Sequence, residues 1–273
     1  MSEPTLELNG VVRTYARGGL LAGHHFRAVD GVSFRLEAGR PEIFTIVGES
    51  GSGKTTLARM ILGMVAPSDG SIRFRGTDLA RLRRRRDRLA FMRQVQPIFQ
   101  NPFEAFNPLK RVDRYLRMTA RRFTGARGAD AENAADRALR DVGLSLAEVK
   151  GRFPHELSGG QLQRMAVARA LISHPAVIVA DEPVSMVDAS LRMSIVNLFK
   201  VLRDQHKVSI IYITHDLGTA YYISDRILIM HKGRAVESGD ARTVLDNPQH
   251  SYSILLKSAV LSPDPAARED ILS

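Results

Sequence analysis

The sequence has no cysteine, which excludes disulfides, thiolate zinc sites and cysteine-bound iron–sulfur clusters. A metal bound here would lack thiolate ligands, and the oxygen donor set expected for it suits Mg²⁺. No segment approaches the ~20 continuous apolar residues of a membrane-spanning helix. Met1-Ser2-Glu3-Pro4 lacks the basic start and apolar stretch of a signal peptide. The expectation is a cytosolic, soluble subunit. Aromatic residues make up only 6%, and the arginine run 81–88 has none interleaved as a single-strand nucleic-acid platform would require. There is no internal repeat. With 273 residues, 44% of them hydrophobic, the chain can bury one large core or two modest ones.

Acidic residues are outnumbered, and the formal net charge is +10. The excess concentrates in Arg81-Leu82-Arg83-Arg84-Arg85-Arg86-Asp87-Arg88, followed by Arg111, Arg114, Arg117, Arg121 and Arg122. Such a run can meet nucleic-acid phosphates or anionic lipid headgroups. The reading adopted is a solvated helical face or a membrane-proximal one, and no nucleic acid is expected as a partner.

Residues 48–55 read Gly48-Glu49-Ser50-Gly51-Ser52-Gly53-Lys54-Thr55, the full G-x-x-x-x-G-K-[ST] phosphate loop. It lies between a strand-like run, Ile43 to Val47, and a helix-like Thr56 to Leu62. Glycines are needed because backbone N–H groups must curl round an anion with no Cβ in the way, and the following helix adds its positive N-terminus. Lys54 then reaches the β- and γ-phosphates, and Thr55 offers a hydroxyl to Mg²⁺.

The next motif separates the many phosphate-loop proteins. Leu157-Ser158-Gly159-Gly160-Gln161 opens a long helical pattern, and Val177-Ile178-Val179-Ala180-Asp181-Glu182-Pro183 gives a buried parallel strand ending in two carboxylates. In these motifs, and in their order, the chain resembles the ATP-binding-cassette (ABC) ATPases over nearly its whole length. The resemblance implies a P-loop NTPase (RecA-like) α/β core, an antiparallel β subdomain and a helical subdomain bearing the signature. It also implies MgATP as the bound species.

Site roles follow from the same resemblance. Lys54 and its neighbours Gly48, Ser50, Gly51, Ser52, Gly53, Thr55 and Thr56 would hold the phosphates. Thr55, Gln100 and Asp181 would serve Mg²⁺, Gln100 as the Q-loop glutamine. Glu182 would polarise the attacking water, and His215 would contact the γ-phosphate as the switch histidine. Tyr15 stands where the family places an aromatic ring against adenine. Ser158, Gly159, Gly160 and Gln161 would close over ATP on another subunit. Asp188 matches the D-loop aspartate, although Met186 and Val187 replace the usual Ala-Leu. Independently of any family, adjacent strand residues point opposite ways, so two such roles at Asp181 and Glu182 require the strand to end there, and Pro183 is consistent with that.

Along the chain, Leu6 to Val12, Val29 to Leu36 and Ser71 to Arg75 read as an antiparallel sheet flanking the nucleotide core. Arg111 to Val149 has helical spacing, including Ala131 to Val142. Helix 161–173, strand 177–180, helix 190–205 and strand 208–214 follow, then a hairpin across Lys232-Gly233. The expected domains are an ABC ATPase domain over 1–240, with a helical subdomain at about 101–165, and a C-terminal extension over 241–273.

That extension, with His250-Ser251-Tyr252 and Ser262-Pro263-Asp264-Pro265, is similar to the tail of ATPases driving oligopeptide and dipeptide importers. So are Phe99-Gln100-Asn101-Pro102-Phe103 and Pro154-His155-Glu156. Those relatives usually read His-Pro-Tyr, so Ser251 removes a rigid position from the turn. Asp181 to Ser185 and Gln161 resemble the second ATPase of a pair. The implied partners are a second ABC ATPase subunit in a hetero- or homodimer, two transmembrane permease subunits and, indirectly, an extracytoplasmic solute-binding protein. The implied place is the cytoplasmic face of the membrane, held peripherally. Phe99, Phe103 and Phe106 are expected to help form the groove for a permease helix. Alternatives are oligosaccharide or nickel uptake, or a non-transport ABC ATPase. A chromosome-organising ATPase would need a long coiled coil before the signature, where no heptads are sustained, and a translation-factor ATPase would carry a second phosphate loop.

Overall fold

The computed structural model describes residues 3–17 and 24–261. Strands β1 (Leu6–Arg17), β2 (His24–Leu36) and β3 (Ile43–Val47) lead into helix α1 (Lys54–Ile61) and strands β4 (Asp69–Phe74) and β5 (Thr77–Asp78). The middle of the chain forms α2 (Arg85–Gln94), β6 (Val95–Ile98), α3 (Val112–Thr124), α4 (Gly128–Arg140), α5 (Leu146–Val149), α6 (Gly159–Leu171), β7 (Val177–Asp181) and α7 (Ala189–Asp204). The rest forms β8 (Ser209–Thr214), α8 (Leu217–Ile223), β9 (Arg226–His231), β10 (Arg234–Asp240), α9 (Ala241–Asp246) and α10 (Ser251–Leu261). Contacts divide these elements into two compact units, Met1–Leu82 with Ser209–Ser273, and Arg83–Val208.

In the first unit, β2, β1, β4 and β5 make an antiparallel four-stranded sheet in that order. Val32, Phe34 and Leu36 are buried while Ser33 and Arg35 between them are exposed. This alternation lets an antiparallel sheet keep one wet face. Leu6 stands opposite Leu36 and Phe74, and Leu8 opposite Phe34 and Ile72. β3, by contrast, is buried at every position and lies parallel to both β8 and β9. An apolar run of this kind fits a strand covered on both faces. β9 turns through Lys232-Gly233 into antiparallel β10. Val47, Leu217, Ile227, Ile229, Val244, Leu245 and Tyr252 form one buried cluster beneath these strands. Each fully buried aliphatic side chain contributes about 1.5–3 kcal/mol.

In the second unit, β6 and β7 pair in parallel, and the helices pack by stripes. α4 buries Ala131, Ala135, Ala138 and Leu139, spaced as one helical face. α6 is buried nearly all round. The arginine-rich run opens α2, whose buried residue is Phe91; Arg83 to Arg86 and Arg88 are exposed. Among the described residues, no helix is long and apolar enough to cross a membrane. Ser262 to Pro265 of the resembling tail lie outside the described residues.

Candidate functional site

The phosphate loop is shaped by close backbone approach. A Cβ on Gly48 would lie 2.1 Å from the Met230 carbonyl oxygen, and one on Gly53 (φ 102°) 2.1 Å from that of Ala28. Neither site admits a side chain. α1 begins immediately after Gly53 with no side chain capping its first N–H groups, which suits an anion there. The Lys54 ammonium, 6% exposed, curls back into the loop. It donates to the carbonyl oxygens of Gly48 and Glu49, each at 2.7 Å, and to Ser52 Oγ at 3.4 Å. An arriving phosphate would compete with these carbonyls for the ammonium. Ser52 is buried, Ser50, Gly51 and Thr55 are exposed, and Thr56 is half-buried.

His215 sits exposed just beyond β8, where Asp216 caps α8 by accepting from the N–H groups of Gly218 and Thr219. Tyr15 lies opposite Phe26 in the β1–β2 ladder, and the Arg13 guanidinium stands 4.6 Å from the centre of its ring. β1 runs past Val12 to Arg17, so Tyr15 is a strand residue with its ring already engaged on one side.

In the second unit, β7 ends at Asp181, as expected for two carboxylates that share one site. Glu182 then takes φ 46°, a left-handed conformation uncommon outside glycine, which recurs at functional sites. The Ser185 N–H and Oγ both donate to the Glu182 carbonyl and hold this turn. Gln100 Nε2 donates to Glu182 Oε2 at 3.0 Å, so two residues distant in sequence meet at the strand's end.

The signature turn is also a helix cap. Ser158 Oγ accepts from the Gln161 N–H, and Gln161 Oε1 from the Ser158 N–H, a reciprocal capping box at the start of α6. A Cβ on Gly160 would lie 2.9 Å from Leu191 Cδ1, and one on Gly159 3.6 Å from the Met186 carbonyl oxygen. The signature and the D-loop segment therefore adjoin. Asp188 is the N-cap residue of α7. The departure from Ala-Leu has a simple form: Val187 keeps an apolar side chain buried, and Met186 is exposed.

The expectation for the phenylalanines needs correction. Phe103 is 46% exposed, but Phe106 is only 2% exposed. The Phe106 ring meets Tyr115 edge-on at 5.3 Å. Arg169 of α6 stands over both rings and donates to the Ala105 carbonyl at 2.7 Å. Phe106 is core, because Tyr115 and Arg169 arrive from other helices to cover it. Phe106→Ser is expected to cost about 3–5 kcal/mol of stability and Phe103→Ser almost none, as thermal unfolding of the two variants will show. Tyr252, Glu237 and Arg169 carried no motif of their own, and only Tyr252 lay in a segment marked by resemblance.

The ABC transporter family matches residues 29–185. The chain belongs to that family. The ABC cassette is 42% identical over 241 residues, 88% of this chain and 71% of the relative, to the oligopeptide transport ATP-binding protein OppF of Salmonella typhimurium. It is 37% identical to the di/tripeptide transport ATP-binding protein DppF of Pseudomonas aeruginosa, over 96% of this chain and 81% of that one. A dimeric ATP-binding cassette solved in a post-hydrolysis state with ADP and Pi superposes with a TM-score of 0.75 at 26% identity, covering 87% of this chain and 99% of that one. As a member of the family this cassette binds and hydrolyses ATP, on the P-loop NTPase fold of ABC ATPases.

Proposed function

We propose that the chain is the ATP-hydrolysing subunit of an importer, powering uptake of oligopeptides or dipeptides through a separate membrane permease. One observation carries the peptide reading: 42% identity, over 88% of this chain, to a protein of oligopeptide transport. Two permease subunits and, indirectly, an extracytoplasmic solute-binding protein complete the system. The chain attaches peripherally at the cytoplasmic face, and residues 241–273 serve as an extension of the oligopeptide-importer type.

Phosphoryl transfer to water is catalysed by positioning and by charge neutralisation rather than by covalent chemistry. Lys54 and His215 neutralise the γ-phosphate oxygens. Glu182 accepts a proton from the attacking water, and Gln100, bonded to its carboxylate, fixes where that oxygen points. Tyr15 stacks on the adenine. The donors for a cation are Thr55, Asp181 and Gln100, all offering oxygen. Among the described residues no group of at least three His, Cys, Asp or Glu forms a cage. That pattern fits Mg²⁺, which usually takes one or two carboxylates and completes its shell with phosphates and water. When bound, the metal supplies charge stabilisation and orients the phosphates. Ser158 to Gln161 and Asp188 act across a dimer, with exposed Met186 and Leu191 beside the signature turn as apolar contact surface. The solved dimeric relative supports this arrangement.

Reconstitution of the chain with its neighbouring permease subunits in liposomes tests the reading. ATP-dependent accumulation of labelled di- and oligopeptides is expected. Accumulation of oligosaccharide or nickel instead, with peptides ignored, would overturn the substrate assignment.

A further inference from the structure

Helix α10 reaches the phosphate loop. The Glu49 N–H donates to the Tyr252 hydroxyl at 2.9 Å across 203 residues of sequence. Tyr252 is 9% exposed, and its ring is rooted in the cluster that contains Val47, the residue before the loop. The ring stacks on His231 at 4.0 Å, and His231 Nδ1 lies 3.0 Å from Glu49 Oε1. The start of α10 is itself held. Glu237 accepts from the N–H groups of Gln249 and His250, and His250 Nδ1 from that of Tyr252. These bonds hold the turn where Ser251 replaces the usual proline.

The Gly48–Glu49 peptide unit is thereby gripped at both ends. Its carbonyl accepts from Lys54 Nζ, and its N–H donates to Tyr252. A nucleotide draws the Lys54 ammonium away from the loop carbonyls towards the phosphates. Once that happens, the Tyr252 bond still ties this peptide in place. We propose that Tyr252 is a positioning residue for ATP: through the Glu49 N–H it keeps the phosphate loop in its receiving shape while Lys54 changes partners, making α10 part of the nucleotide site. The proposal rests on Gly48 to Thr55 being the ATP site.

The test uses the full chain and compares Tyr252→Phe, Lys54→Ala and wild type. Phenylalanine keeps the ring, its burial and the stack on His231, and removes one hydroxyl. The MgATP dissociation constant of Tyr252→Phe is expected to rise roughly tenfold, the effect of leaving one half-buried backbone donor without its partner. Turnover at saturating ATP should stay near wild type, and melting should fall by no more than about 2–4 °C. A purely structural tyrosine would move the melting temperature and leave ATP affinity alone. Native affinity in Tyr252→Phe alongside lost affinity in Lys54→Ala overturns the proposal and spares the loop assignment. Native affinity in Lys54→Ala overturns the loop assignment, and the proposal with it.

Discussion

Glu182→Gln is expected to bind MgATP with near-native affinity while hydrolysis falls by ~10²-fold or more. The amide keeps the shape of the side chain and, being unbranched, tolerates the φ of 46° at this position as glutamate does. The turn bonded by Ser185 is a backbone feature and survives the change. What disappears is basicity at the oxygen that Gln100 holds at 3.0 Å. ATP should then accumulate in a closed dimer, visible as a shift in size on gel filtration with nucleotide. Turnover close to wild type would show that another group takes the proton. Lys54→Ala contrasts with this: without the ammonium, nucleotide affinity itself should fall, as equilibrium binding will report.

The chemistry was legible because phosphate binding demands particular residues at particular spacings. Gly48 and Gly53 could be read as glycines without substitute, and the structure supplies the reason in the carbonyls of Met230 and Ala28. The end of β7 was legible too, since two carboxylates proposed for one site cannot both reach it from the middle of a strand, and the strand ends at Asp181. The left-handed turn that achieves it was not, because glutamate has no preference for that conformation. β6 is hidden by Pro97, which has no N–H for a ladder; it is tolerated because, among the described residues, this strand is at the sheet edge and pairs only with β7. The sequence pattern marks β1 only to Val12, because Arg13-Thr14-Tyr15-Ala16-Arg17 has no apolar alternation; Arg13 to Tyr15 are half-buried and Ala16 is exposed. Phe106 and Tyr252 show a different limit. Each sits in a segment with a visible motif, yet its role depends on side chains far away in sequence, and no local pattern encodes such a meeting.

Ser158→Arg separates the two ends of the proposed dimer. Ser158 is exposed at the start of α6, where its hydroxyl already accepts the Gln161 N–H. Losing that cap costs about 1 kcal/mol, too little to unfold a helix buried as α6 is. An arginine there would fill the turn and block approach of a nucleotide held by the partner. Lys54, Gln100 and Glu182 are untouched, so this chain should keep binding ATP. With a distinct ATPase as partner, vanadate trapping of labelled, photo-crosslinkable ATP can be scored on each subunit separately. Loss on the partner alone is the expected result and means that the signature completes the partner's site. Loss on this chain alone would mean that the signature acts within its own subunit, which ends the head-to-tail arrangement. Thermal unfolding of the arginine variant close to wild type is expected, since α6 is buried nearly all round. A large drop in melting temperature would instead mean that the helix start, rather than the blocked approach, explains the arginine variant.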